Sequence, residues 1–219
     1  MVEISTSILS VQKDNIIKTV YNLEVAKTNY FHIDVMDGKF VESFTNEIME
    51  EYSGYIKSIS NIPLDVHLMV DDVKTYIDKY LNYEPNIISF HIEATKNKDE
   101  AIELLKYIKS NNCKAGIAVS PKTKLSEIYE ILNYIHMVII MTVEPGKGGQ
   151  FLITETIDKI KELSEYIQKN NIDIDIEADG GINIDNVSSI KAAGANIIVS
   201  GTGILNSEDY ESTIKKMKL

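Results

Sequence analysis

Two histidines and two aspartates carry the clearest chemical signal in this chain. His32 and Asp34 lie in Tyr30-Phe31-His32-Ile33-Asp34-Val35-Met36-Asp37-Gly38, and His67 lies in Pro63-Leu64-Asp65-Val66-His67-Leu68-Met69-Val70. Asp179 closes the run Asp173-Ile174-Asp175-Ile176-Glu177-Ala178-Asp179 and is followed by Gly180-Gly181. A strand turns alternate side chains to one face, so His32, Asp34 and Met36 share a face, as do Asp65, His67 and Met69. The other face of the first run, Phe31, Ile33 and Val35, is wholly apolar and reads as packing. Charge enclosed behind a buried face is costly unless it is paired or bound to metal. Two imidazoles and two carboxylates at the ends of separate strands could make a four-ligand divalent-metal site of mixed nitrogen and oxygen character. Taken singly, each His reads equally well as a satisfied core residue and each Asp as a helix cap; a fold that brings them together is what gives them meaning as a set.

The rest of the chain supplies such a fold. Ile- and Val-rich runs near 3–9, 30–36, 63–69, 87–92, 114–119, 137–143, 172–178 and 196–200 read as short strands buried on both faces. Amphipathic segments near 14–27, 44–59, 72–83, 98–111, 124–134, 153–170, 185–193 and 207–218 alternate with them, and Ile157, Ile160, Leu163 and Ile167 show helical spacing. Asp99 and Ser207 are candidate N-caps and Gly194 a candidate C-cap. Strands alternating with helices in one uninterrupted series predict a closed (β/α)8 TIM barrel forming a single domain over residues 1–219, with an open doubly wound sheet as the alternative. In such a barrel chemistry sits at the carboxyl ends of the strands, where His32, Asp34, His67 and Asp179 are expected.

Composition narrows the partners. With 33 acidic against 22 basic residues and a net charge of -11, the chain lacks the basic footprint that nucleic acid or an anionic membrane requires. No apolar run approaches the roughly 20 residues of a membrane span, and the N-terminus does not read as a secretory signal. The single cysteine, Cys113, suits a reducing compartment, so a cytoplasmic protein is expected. An anionic ligand would have to be held by backbone N–H groups and helix N-termini. Three glycine turns are placed for that: Gly146, Gly148 and Gly149 after the sixth strand, Gly180 and Gly181 after the seventh, and Gly201 and Gly203 after the eighth. Lys147, inside the first of these turns, either adds a positive charge or points to solvent.

These pieces resemble the ribulose-phosphate 3-epimerase family from end to end. The resemblance rests on Ser7-Ile8-Leu9-Ser10, His32-Ile33-Asp34-Val35-Met36-Asp37-Gly38, Asp65-Val66-His67-Leu68-Met69-Val70, Met141-Thr142-Val143-Glu144-Pro145-Gly146, Gly148-Gly149-Gln150, Asp179-Gly180-Gly181-Ile182 and Val199-Ser200-Gly201. It implies a homo-oligomeric barrel enzyme holding one divalent cation per subunit (Zn2+, Fe2+, Mn2+ or Co2+) and interconverting D-ribulose 5-phosphate and D-xylulose 5-phosphate. By matching position it implies His32, Asp34, His67 and Asp179 as metal ligands, with Asp34 and Asp179 also the acid/base pair. Ser7 and His67 would contact substrate, and Met36, Met69 and Met141 would line the space beside the reacting carbon. Gly146, Lys147, Gly148, Gly149, Gly180, Gly181, Gly201 and Thr202 would surround the phosphate. The chain departs from the family pattern at Lys39, Glu42-Ser43, Lys147, Ala178 and Gly201-Thr202-Gly203-Ile204-Leu205, none of which removes a proposed ligand or carboxylate.

The chemistry suits the residues. Inverting a carbon beside a ketone takes a proton from one face and returns one to the other, which two carboxyl groups flanking the substrate can do. A metal near the ketone would stabilise the enediolate between the two transfers. The same reaction on D-allulose 6-phosphate is the near alternative, and a non-catalytic sugar-phosphate-binding barrel is the alternative from another class. A lyase or decarboxylase on this fold would typically place a Lys among the strand-end carboxylates, and none of the strand candidates ends in one. His91 and Glu93 read as supporting or structural residues, Asp37, Asp65, Glu144 and Glu177 as capping or supporting groups, and His136 as structural.

Overall fold

All eight apolar runs form strands that pair in parallel, each with the next, and the last pairs back to the first. They are β1 (Glu3–Ser7), β2 (Tyr30–Met36), β3 (Leu64–Met69), β4 (Ile87–His91), β5 (Lys114–Val119), β6 (Met137–Met141), β7 (Asp175–Asp179) and β8 (Ile197–Ser200). The computed structural model describes residues 2–219. Helices α1 (Ile16–Val25), α2 (Asn46–Ile59), α3 (Val73–Leu81), α4 (Lys98–Ser110), α5 (Glu155–Asn170), α6 (Val187–Ala193), α7 (Thr202–Leu205) and α8 (Tyr210–Lys218) follow the strands. The result is a (β/α)8 TIM barrel, and no helix among the described residues is long and apolar enough to cross a membrane.

Two apolar cores follow from the alternation along the strands. Phe31, Ile33 and Val35 point outward into the large core between sheet and helices, with Met49, Tyr52 and Ile56 of α2. A smaller cluster of Ile87, Ala118, Met137, Ile139, Met141 and Ile197 fills part of the barrel interior. The rest of that interior is polar: Ser5, Ser7, His32, Asp34, Asp65, His67, Glu177 and Asp179 are all buried. Gly116 belongs to this interior too, because a Cβ there would run into the Ser89 side chain from the neighbouring strand.

Several local expectations are corrected. The segment 124–134 forms 3-10 turns, Leu125–Glu127 and Tyr129–Tyr134, where an α-helix is expected. Leu125, Ile128 and Ile131 are all buried, and their three-residue spacing matches the eclipsed face of a 3-10 helix. Asn97, not Asp99, caps α4 by accepting from the Glu100 N–H at 2.9 Å, which leaves Asp99 in the first turn where a negative charge opposes the positive helix end. The last helix is capped by Asp209, not Ser207, because the short α7 intervenes and Ser207 closes it with a bond from its N–H to Ile204 O at 2.9 Å. Gly194 does end α6, with φ of 114°. Cys113 is buried and free, and burial pushes its thiol up to about 12.

Candidate active site

Register explains how the key side chains meet. Ser7, the last residue of β1, pairs with His32, and Asp34 pairs with His67. His32 is therefore mid-strand rather than late as the sequence pattern predicts; the stagger of a closed barrel lifts the middle of β2 to the level of the β1 end. Asp179 is the last residue of β7 and pairs with Met141 of β6.

Four side-chain atoms converge. His32 Nε2 is 3.5 Å from Asp34 Oδ1 and 3.6 Å from Asp179 Oδ2, while His67 Nδ1 is 3.7 Å and 3.3 Å from the same two oxygens. All four atoms lie within 4.8 Å of one another, and all four residues are buried. Neither His32 Nε2 nor His67 Nδ1 has a hydrogen-bond partner. Nitrogen and oxygen donors bound to one cation at about 2.0–2.2 Å stand about 3–3.6 Å apart, which is close to the spacing seen here. The donor set thus fits a divalent metal ion, and two orphaned imidazole nitrogens facing carboxylates are the observation that says so.

The electrostatics agree. Burial opposes ionisation of Asp34, but the His32 and His67 imidazoles outweigh it and hold the carboxyl below the usual range. Asp179 behaves the same way with the same two partners. Burial also opposes charge on the imidazoles; Asp65 and Asp34 outweigh it at His32, Asp179 and Asp34 at His67, so both rings sit above the ordinary imidazole value. Carboxylates and imidazoles thus balance each other's charge, a balance in which a bound cation would take the place of the imidazole protons. Glu177 differs, since burial reinforced by the Asp65 carboxylate pushes it well above the usual range. Asp65 itself accepts from Ser5 Oγ and from His32 Nδ1, each at 2.7 Å.

Above the cluster opens a cavity at the carboxyl ends of the strands. Asp34 and Asp179 reach its floor, and Ser7 lines it while donating to Asp34 Oδ2 at 2.7 Å. Met36 and Met69, paired on β2 and β3, line one side, and Met141 at the end of β6 lines the side across the barrel. The glycine turns form the rim: Gly146, Gly148 and Gly149 with Lys147, then Gly180 and Gly181, then Gly201 with Thr202. Lys147 is exposed at this rim. His67 and His32 lie beneath the floor and are not among the residues lining the cavity.

The rim turns depend on glycine. Gly181 has φ of 67°, and a Cβ there would meet the Leu152 backbone nitrogen at 2.5 Å and Gln150 O at 2.7 Å. The turn after β7 thereby presses against the loop after β6, which keeps both beside the cavity. Gln150 pins that loop, its amide donating to Glu144 O at 2.7 Å and Lys147 O at 2.8 Å. Leu9, Ser10 and Gln150 line the cavity as well and are residues the sequence reading does not single out, although each sits in or beside a motif it does quote. Asp37 and His136 take structural roles as expected: Asp37 accepts from the Lys39, Phe40 and Asp71 N–H groups, and His136 Nδ1 accepts from the Ala115 N–H at 3.2 Å.

Known proteins resemble the chain in both sequence and fold. The profile of the Ribulose-phosphate 3 epimerase family matches residues 3–205. The chain is 35% identical to the ribulose-phosphate 3-epimerase of Escherichia coli strain K12, with 98% of this chain and 94% of that protein covered. It is 34% identical to the ribulose-phosphate 3-epimerase of Methanocaldococcus jannaschii, covering 100% of this chain and 90% of that one. Among solved structures it superimposes on KGPDC from Streptococcus mutans, with a TM-score of 0.72, 11% identity, and coverage of 100% and 96%; likeness at that identity speaks for the barrel alone. Similarity at this level along nearly the whole length, on a barrel whose motifs fall where the cavity needs them, makes this chain a member of the ribulose-phosphate 3-epimerase family.

Proposed function

We propose that the protein interconverts D-ribulose 5-phosphate and D-xylulose 5-phosphate, with Asp34 and Asp179 as the two acid/base groups and His32, Asp34, His67 and Asp179 as the ligands of one divalent cation. One observation carries the reading: two carboxyl groups reach a single cavity floor from β2 and β7, with β8 and β1 between them, while sharing the same two imidazoles. Carboxylates brought in from separate strands can face a substrate from two sides, as an inversion requires. The base takes the proton from C3 on one face, and the protonated partner delivers one on the other. A divalent cation held there supplies electrostatic stabilisation for the negative charge that grows on the ketone and adjacent hydroxyl oxygens as the proton leaves. Ser7, through its bond to Asp34 Oδ2, fixes which Asp34 oxygen faces the substrate. The three methionines keep water from the reacting carbon, and the glycine rim gives the phosphate backbone to approach, with Lys147 beside it.

Zn2+, Fe2+, Mn2+ and Co2+ all suit these donors, and elemental analysis of purified protein identifies the one carried. A cytoplasmic homo-oligomer, each subunit one domain, belongs to the same reading. The exposed stripe of Ile17, Tyr21 and Val25 along α1 supports assembly, and a single-chain mass in light scattering would refute it. The central test is turnover of D-ribulose 5-phosphate in D2O. Conversion to D-xylulose 5-phosphate carrying one deuterium at C3 is expected. Preference for a hexulose 6-phosphate would reassign the substrate, and binding of either sugar without turnover would leave only a sugar-phosphate receptor.

A further inference from the structure

Each imidazole of the cluster is gripped from behind, but by different means. His32 Nδ1 meets a carboxylate directly, Asp65 Oδ2 at 2.7 Å. His67 Nε2 meets a second imidazole, His91 Nε2, at 2.9 Å, and His91 Nδ1 meets Glu93 Oε2 at 3.2 Å. His67 and His91 are fully buried, and their rings lie end to end, with centroids 5.0 Å apart and 22° between planes.

Proton counting along this chain leaves one arrangement. Glu93 accepts only, so His91 Nδ1 carries a hydrogen. A second hydrogen on His91 would make a buried imidazolium directly against another imidazole, which is costly. His91 Nε2 is then a bare acceptor, and the hydrogen in the 2.9 Å contact belongs to His67 Nε2. In a neutral His67 the lone pair falls on Nδ1, the orphaned nitrogen that faces Asp34 and Asp179.

Glu93 is itself anchored. Its Oε1 accepts from the Ser120 N–H at 2.8 Å and from the Thr123 hydroxyl, in the loop after β5. Lys159 of α5 holds that loop by donating to Ser120 O at 2.7 Å and to Thr123 O. Phe40 packs on the free edge of the relay, with its ring 4.9 Å from that of His91.

We propose that His91 and Glu93 are positioning residues that fix His67 in its Nε2–H tautomer, so that Nδ1 presents a lone pair to the cation. The inference rests on the reading of His67 as a ligand. Carboxylates behind metal-bound histidines are a general means of orienting the ring and raising its basicity, and their loss typically weakens metal binding by about 10- to 100-fold. Here the carboxylate acts through an interposed imidazole, which links the cluster to a surface loop.

The test is Zn2+ affinity of the full-length protein, measured by competition with a chromophoric chelator, together with histidine 15N chemical shifts that report the tautomer. His91→Leu removes the acceptor and is expected to weaken Zn2+ binding by about 10- to 100-fold and to mix the His67 tautomers. His91→Gln, whose amide oxygen can accept the same hydrogen, is expected to recover most of that loss. Glu93→Gln, a milder change near the surface, covers the case in which His91→Leu does not fold, and is expected to weaken binding severalfold. Unchanged affinity and unchanged 15N shifts in these variants, with a parent protein that binds Zn2+, would overturn this inference alone. A parent that binds no divalent cation would sink the ligand assignment and this inference with it.

Discussion

Asp179→Asn is expected to lower epimerase turnover by roughly a thousandfold, the middle of the range for loss of a general acid/base group. The amide neither takes nor returns the C3 proton, and it removes one of the negative charges that hold the cluster together. Asp34→Asn is expected to be as severe, because inversion fails when either face lacks its proton carrier. The double variant is expected to be little worse than either single one, since the two groups act as a unit. Solvent exchange separates this mechanism from simple damage. With one carboxylate remaining, the epimer whose C3–H faces it still exchanges slowly with D2O, and the other epimer does not. Asp34→Asn and Asp179→Asn should therefore show opposite substrate preferences in exchange. Cation content is measured alongside, because both residues also carry the proposed ligand atoms. Wild-type turnover in either variant, with the barrel folded by circular dichroism, would remove that residue from the mechanism.

Much of this site is legible in the sequence because strand periodicity is strict. His32, Asp34 and Met36 alternate with Phe31, Ile33 and Val35, and the structure turns the first set into the barrel and the second onto the helices. The glycine turns are legible for a similar reason, since positive φ at Gly146, Gly149, Gly180 and Gly181 leaves little choice of residue. What the sequence does not carry is whatever depends on register between strands. His32 reads as a strand-end residue but lies mid-strand, level with Ser7, because barrel stagger is a property of the closed sheet. His91 and Glu93 read only as supporting residues; their line to His67 needs β3 and β4 side by side, with His67 beside Ser89. The segment 125–134 misleads for a local reason, because apolar residues three apart suit a 3-10 turn as well as an α-helix. Helix caps shift by two residues at Asn97 and Asp209, where a neighbouring polar residue supplies the better-placed oxygen.

Removing the divalent cation with a strong chelator is expected to abolish epimerisation, and adding it back should restore turnover within the mixing time. Fast recovery follows from how the donors are held. Asp34 Oδ2 is bound by Ser7, His32 by Asp65 and His67 by His91, so the set stays assembled without help from the ion. Stability should fall as well, because a ligand bound only by the native state stabilises it by about 2.7 kcal/mol at a concentration 100 times its Kd. For a chain of this length that corresponds to about 5–10 °C in melting temperature. The two readouts separate two roles. Loss of turnover with no change in melting temperature would mean that the chelator acts elsewhere, as on the substrate. Full turnover in protein shown by elemental analysis to be metal-free would leave Asp34 and Asp179 to work without a cation, and would strip the four-residue cluster of its proposed role.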